Sequence, residues 1–197
     1  MLTLCLDTSH KYLVIGLIKD GIIISNFMQE SWKRQSETIL PEIDRALKTL
    51  RLSPKDINQI VITAGPGSFT GVRIAMTIAK LLGSLTDIEI FTISTLRLYA
   101  GDRNALVILD ARGKRAYCGR YNNHIGDEMI LKLDDIHEQI SDDTLIIGDG
   151  KLIGYEDNYP DIVSNFLVCK SYWTKVDNVD LLKPVYFKEA SEYKPNI

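Results

Sequence analysis

Residues 60–83 constrain this chain more than any other stretch. Ile60-Val61-Ile62-Thr63 is a β-branched run of the kind buried in a strand. Ala64-Gly65-Pro66-Gly67-Ser68-Phe69-Thr70-Gly71-Val72-Arg73 follows, a turn with three glycines, and then good helix formers as far as Gly83, where a helix stop is expected. Strand, glycine loop and helix in that order aim backbone N–H groups and the positive end of a helix at one spot, where an anion can sit. Gly71, Ala75 and Ala79 recur every fourth residue and share one helix face. So small a stripe admits close approach by another backbone, from the chain's own sheet or from a partner's helix. The loop is not a Walker A sequence, because no Lys-Ser or Lys-Thr follows its last glycine, and Gly71 comes one residue late for the dinucleotide fingerprint. A plain structural turn explains it equally well on its own.

Length and charge narrow the classes. A chain of 197 residues holds one ordinary domain or two small lobes. Its 45% hydrophobic and 25% charged residues are the balance of a soluble globular protein. The net charge of −3 argues against a dedicated nucleic-acid surface, and the longest basic run is only Lys33-Arg34. Cys5, Cys118 and Cys169 lie far apart, outside any CxxC spacing, as small apolar residues do in a reducing compartment. The opening Met1 to Asp7 lacks the positive region of a signal peptide, and no apolar run has the length of a membrane span. A cytoplasmic location is expected, with no membrane contact.

Taken in order, residues 2–6, 12–18 and 22–27 read as three strands, with Asp20-Gly21 as a two-residue hairpin turn between the last two. Residues 36–50 carry the helical stripe Ile39, Leu40, Ile43, Ala46, Leu47 and Leu50, and a start near Thr38 would keep Pro41 in the first turn. A strand at 89–93 and a helix at 94–100 close the first half. The plan then repeats, with strands at 106–110, 116–121 and 129–133, a helix at 134–140, and 145–147 running into Gly148-Asp149-Gly150. Asp7 precedes Gly16 by nine residues, Asp110 precedes Gly119 by nine, and Lys11 and Lys114 fall in the same register. These repeats indicate a duplicated α/β fold with mixed sheets and a central cleft, its halves spanning 1–100 and 101–197. Beyond residue 155 the pattern weakens to candidate strands at 166–169 and 184–188 and a loose tail at 193–197.

Two aspartates at strand ends beside a Gly-x-Gly turn would suit a magnesium–nucleotide complex, with carboxylates near the metal and amides on phosphate. Turn capping accounts for Asp at a strand end just as well. Metal hydrolysis finds no ligand set: His10, His124 and His137 are scattered. Ser68 sits in a turn one residue too long for a nucleophile elbow, and Glu37 and Glu42 fit a solvated helix face.

Leu6-Asp7-Thr8-Ser9, the run from Gly65 to Arg73, Asp110-Ala111-Arg112, Gly148-Asp149-Gly150 and Pro184-Val185-Tyr186 together resemble the bacterial TsaB (YeaZ) family, in order from about residue 2 to 188. The resemblance implies the duplicated actin-like ATPase (ribonuclease H-like) fold, two lobes with mixed sheets flanked by helices, the second lobe trimmed. It implies a part in making threonylcarbamoyladenosine at position 37 of tRNAs that read codons starting with A. In that system TsaD carries the metal and transfers the threonylcarbamoyl group, TsaE is an ATPase, and TsaB is a non-catalytic partner. The resemblance implies that tRNA is reached only through the complex; separately, exposed apolar helix faces lead to the expectation of a homodimer when the partner is absent. The resemblance also puts the first two helices in a bundle against TsaD, an interface of Ile39, Leu40, Ile43, Leu47, Thr70, Gly71, Arg73, Ala75, Met76 and Ala79 in this sequence. Asp7, Thr8, Asp110, Gly148, Asp149 and Gly150 are then relics of a nucleotide site. No catalytic residue, metal ligand or firm cofactor is implied, only ATP or ADP with magnesium held weakly at the partner interface. Gln35 replaces a family-typical His, and Ser9 stands where ATP-using relatives have a glycine that lets backbone approach phosphate. The competing reading is an active small-molecule kinase or ATPase of the same fold.

Overall fold

The computed structural model describes residues 1–122, 125–141 and 143–187. Side-chain alternation along its first strand, β1 (Leu2–Asp7), sorts the molecule into layers. Leu2, Leu4 and Leu6 point to an outer core, while Cys5 belongs to a central one. β2 (Tyr12–Lys19) and β3 (Ile22–Glu30) continue as an antiparallel meander. Their turn places both Asp20 and Gly21 at positive φ, 50° and 81°, which matches the twist of a tight hairpin. β4 (Gln59–Thr63) lies parallel to β1, and β5 (Glu89–Ile93) lies parallel to β4.

The second half repeats this layout. β6 (Ala105–Asp110), β7 (Arg115–Asn122) and β8 (Ile125–Lys132) form an antiparallel meander, and β9 (Ile146–Gly148) pairs parallel to β6. With β10 (Thr174–Lys175) at its edge, the first sheet runs β10-β5-β4-β1-β2-β3 and the second β8-β7-β6-β9, so the order third, second, first, fourth occurs twice. This is the duplicated actin-like arrangement, with mixed sheets and flanking helices. Among the described residues the second sheet has no fifth strand to match β5.

The equal Asp-to-Gly spacings do not mark equivalent pairs. Asp7 opposes Val14 and Asp110 opposes Ala116, so the second turn is one residue shorter; Gly16 therefore faces Cys5, while Gly119 faces Val107. Each glycine makes room for a helix instead. A Cβ on Gly16 would lie 2.6 Å from Val163 Cγ1, and one on Gly119 3.0 Å from Leu96 Cβ.

Helices α1 (Gln35–Thr49) and α2 (Phe69–Leu85) cover the outer face of the first sheet through Ile39, Ile43 and Leu47 and through Val72, Ala75, Met76 and Ala79. Between the sheets lie α3 (Thr95–Ala100) and α5 (Ile162–Val168), in a core that joins Val14 and Val61 to Val107 and Tyr117. α4 (Leu133–Ile136) covers the far face of the second sheet through Ile136. The two halves interlock: α3 packs on β6 and β7, α5 packs on β2 and β3, and β10 (Thr174–Lys175) returns to pair with β5.

Several elements differ from the sequence expectation. α1 begins at Gln35, which leaves Pro41 in its interior; Pro41 and Glu37, whose carbonyl loses a helical donor there, are both solvent-exposed. α2 runs past Gly83 to Leu85, and Gly83 serves packing: a Cβ there would meet Ile90 Cδ1 at 2.4 Å. Residues 166–169, expected as a strand, fall largely in α5, whose start is capped by Asp161 Oδ1 accepting from Val163 and Ser164 amides. A four-residue apolar run does not distinguish a strand from a buried helix turn. The helix expected at 134–140 is α4 followed by a 3-10 turn, His137–Gln139. Residues 184–187 form no strand; Lys188, His124 and the tail expected at 193–197 lie outside the described residues.

The tightest packing in the outer layer is testable. A Cβ on Gly71 would sit 2.1 Å from the backbone oxygen of Thr8, which cannot swing aside. Gly71→Ala is expected to lose about 1–3 kcal/mol in urea unfolding, the usual cost of overpacking. Ser84→Ala, on the exposed side of the same helix, should stay within about 0.5 kcal/mol of the parent.

Candidate functional site

The anion-sized spot at the start of α2 is filled by the chain itself. Ser68 N–H donates to Ser9 O at 2.7 Å, and Ser68 Oγ accepts from Gly71 N at 3.2 Å as the helix cap. Thr8 Oγ1 donates to Gly71 O at 2.7 Å and accepts from Ala75 N at 3.2 Å. A Cβ on Gly67 would lie 2.4 Å from Ser9 O. The glycines thus admit the β1–β2 turn, and the amide that could have met a phosphate is spent on Ser9. Gly71 faces this turn, and Ala75 and Ala79 are buried in the core over their own sheet.

Asp7 is wholly buried with its carboxylate committed. Oδ1 accepts from Ser9 N at 2.8 Å, Ser9 Oγ at 2.6 Å and Thr63 Oγ1 at 2.7 Å, and Oδ2 accepts from Tyr99 Oη at 3.2 Å. Asp110, its counterpart, accepts from Arg112 N at 2.7 Å and pairs with the Arg112 guanidinium at 2.9 Å. Each aspartate therefore accepts the amide two residues on, the same turn chemistry in both copies.

The two lobes meet at the second glycine turn. Gly148 and Gly150 leave no room for a Cβ, which would lie 2.2 Å from Ile108 O and from Glu156 O respectively. Between them Asp149 accepts from Asp110 N at 2.7 Å, from His10 Nε2 at 2.8 Å and from the Tyr159 hydroxyl. Lys11 Nζ reaches Asp149 at 3.7 Å and Asp157 at 3.6 Å, and lies 4.4 Å from the centre of the Tyr159 ring. Burial by itself would raise the Asp149 carboxyl, but the hydrogen bond and charge of His10, with the Tyr159 hydroxyl and Asp110 amide, hold it down to about 2. Burial and the adjoining Asp149 push the Tyr159 hydroxyl up. Gln35 Nε2 donates to the carbonyls of His10 and Tyr12, both at 2.7 Å, and so ties the start of α1 to the same turn.

His10, Lys11 and Tyr159 went unassigned in the sequence because nothing nearby in the chain pairs with them; Lys11 matched Lys114 in spacing only. Among the described residues no three His, Cys, Asp or Glu side chains converge as a metal site. In the cleft Asp149 accepts from groups of both halves, His10 Nδ1 is buried without a partner among the described residues, and the arrangement joins two lobes. Of the ten residues expected to meet a partner, Leu40, Thr70 and Arg73 are exposed, and Ile39, Ile43, Leu47, Gly71, Ala75, Met76 and Ala79 are buried within this chain.

A family model described as TsaD: tRNA N6-adenosine threonylcarbamoyltransferase matches residues 28–143. A Bacillus subtilis protein called tRNA threonylcarbamoyladenosine biosynthesis protein TsaB is 35% identical over 61% of this chain, which spans 55% of that relative's length. A protein of the same name from Buchnera aphidicola is 31% identical over 75% of this chain and 78% of its own. A solved Pseudomonas aeruginosa structure, described as similar to peptidase YEAZ, has a TM-score of 0.76 over 95% of this chain and 99% of its own at 20% identity, a likeness of fold.

The lobe contact predicts an acid response. A carboxyl held below its ordinary value stabilises the fold above about pH 4, and that stabilisation, about 2 kcal/mol, is lost as pH falls toward 2. Asp149→Asn should therefore be less stable than the parent at pH 7, with urea midpoints that converge as the pH approaches about 2. A constant gap across that window would mean that Asp149 adds nothing as a charge.

Proposed function

The chain belongs to the TsaB (YeaZ) family, and on that premise we propose that it serves as a non-catalytic subunit in the making of threonylcarbamoyladenosine on tRNA. Its working partner is a TsaD-type transferase, joined by a TsaE-type ATPase, and it meets tRNA through that complex in the cytoplasm. The observation that carries the reading is the closed cleft. Ser9 bonds both Asp7 and Ser68, Thr8 bonds Gly71 and Ala75, and Asp149 bonds His10, so these groups at the ancestral nucleotide position are engaged in contacts within the chain. Any ATP or ADP with magnesium would bind weakly, at the partner interface.

What the chain offers instead is surface. Leu40 on α1 is 59% exposed, and Leu81 and Leu85 on α2 are 59% and 72% exposed, beside half-buried Ile74 and Ile78. Apolar side chains so placed on adjacent helices suit a helical partner. The buried residues of both helices hold them on their own sheet, so the partner meets the outer faces. With the partner absent, the same faces pair two copies of this chain.

Light scattering on a sizing column tests this with the TsaD-type protein of the same cell. A heterodimer should form at the expense of a homodimer, and Leu81→Arg should weaken it about tenfold or more without lowering the melting temperature. Ala75→Arg is unsuited to the test because Ala75 is fully buried. No association, or magnesium-dependent ATP turnover by the chain alone that Asp7→Ala abolishes, would overturn the reading.

A further inference from the structure

α2 displays one exposed cation near its start, Arg73, and the end of the described chain holds it still. Beyond β10 the chain follows α2 back toward its N-terminus. Lys80 Nζ donates to Asp180 O at 3.3 Å, Leu182 enters the outer core, and Val185 N–H donates to Ala64 O at 2.7 Å. This course lays Tyr186 on Phe69, with stacked rings whose centres are 5.3 Å apart. Arg73 Cζ lies 3.9 Å from the centre of the Phe69 ring, and Arg73 Nε donates to Tyr186 Oη at 2.9 Å. The plane of the guanidinium is thereby set while the group remains exposed.

Among the described residues no anion lies at its other edge. Arg34, Arg45 and Arg112 each pair with a carboxylate of the chain, Glu37, Glu42 and Asp110. Among the described residues no carboxylate pairs with Arg73, and the 17 residues of α2 include neither Asp nor Glu. A planar guanidinium fixed along one edge is a prepared fork for a bidentate carboxylate, because little motion remains to be lost on binding. Along the same exposed face, one turn and two turns on, come Thr77 and Leu81. Leu81 on that face suits a protein helix, and the hydroxyl of Thr77 and the ammonium of Lys80 are spent on the carbonyls of Arg73 and Asp180.

We propose that Arg73 is the polar anchor of the partner interface, receiving an Asp or Glu carboxylate from a helix of the TsaD-type subunit, with Phe69 and Tyr186 as its positioning residues. The inference rests on the function proposed above and adds which residue fixes the register of the two subunits and which chemistry it takes.

Titration calorimetry of the full chain into the TsaD-type protein separates the two claims. Arg73→Lys keeps the charge and removes the fork, and should weaken association about tenfold; Arg73→Glu should weaken it about a hundredfold or more through like-charge contact. Tyr186→Phe removes only the hydroxyl and should cost about threefold. All three should melt within about 2 °C of the parent, since these are surface changes. Binding by Arg73→Lys within twofold of the parent overturns the anchor while leaving the subunit role intact. No binding by the parent chain overturns the role and the anchor with it. If Arg73→Lys alters only self-association, or only retention of a tRNA transcript, the fork has a different occupant and the proposal is wrong.

Discussion

The contact between the β1–β2 turn and the first turn of α2 governs the rest of the molecule. The Ser9 carbonyl accepts the Ser68 amide, and the Thr8 hydroxyl bridges Gly71 O and Ala75 N, so strand end and helix start share a hydrogen-bond network with no space between them. That approach requires Gly67 and Gly71, each within 2.4 Å of turn backbone at the Cβ position. It fixes the height of α2 on the sheet, and from there Ala75 and Ala79 must be small and Leu81 must face outward. A loop that looks made to hold phosphate holds a neighbouring turn.

The same economy recurs between the lobes. Asp149 gathers His10 and Lys11 from the first half and Tyr159 and the Asp110 amide from the second. Buried charges are tolerated when they are paired and hydrogen-bonded, and removal of one partner is costly because the others remain desolvated. α3 and α5, each packed on the other half's sheet, reinforce the junction with apolar contact. Polar and apolar contacts together therefore tie the two halves to each other.

The trimmed second lobe fits this balance. The outer face of the first sheet carries two long helices, while the far face of the four-stranded second sheet carries one short helix and 3-10 turns. Loss of helices there leaves the central core intact, since α5 supplies Ile162, Val163 and Phe166 to it.

Much of this was legible in the chain. Strand and helix periods gave the duplicated layout, because alternation and the 3.6-residue stripe follow from which face each element buries. The Gly65 to Arg73 run marked a tight strand-to-helix turn because only small residues fit there. What the sequence could not carry was direction and company. Gly71, Ala75 and Ala79 form the same stripe whether they face a sheet or a partner, and only the position of Thr8 above them decides. Equal spacings concealed unequal turns at Gly16 and Gly119. His10 and Asp149 are 139 residues apart, as Arg73 and Tyr186 are 113, and no local pattern encodes a bond between side chains so distant in the chain. Short-range order was determined by the sequence itself, since propensity and period act within a few turns; the Asp149 junction and the Arg73–Tyr186 contact exist only because tertiary packing brings distant parts of the chain together.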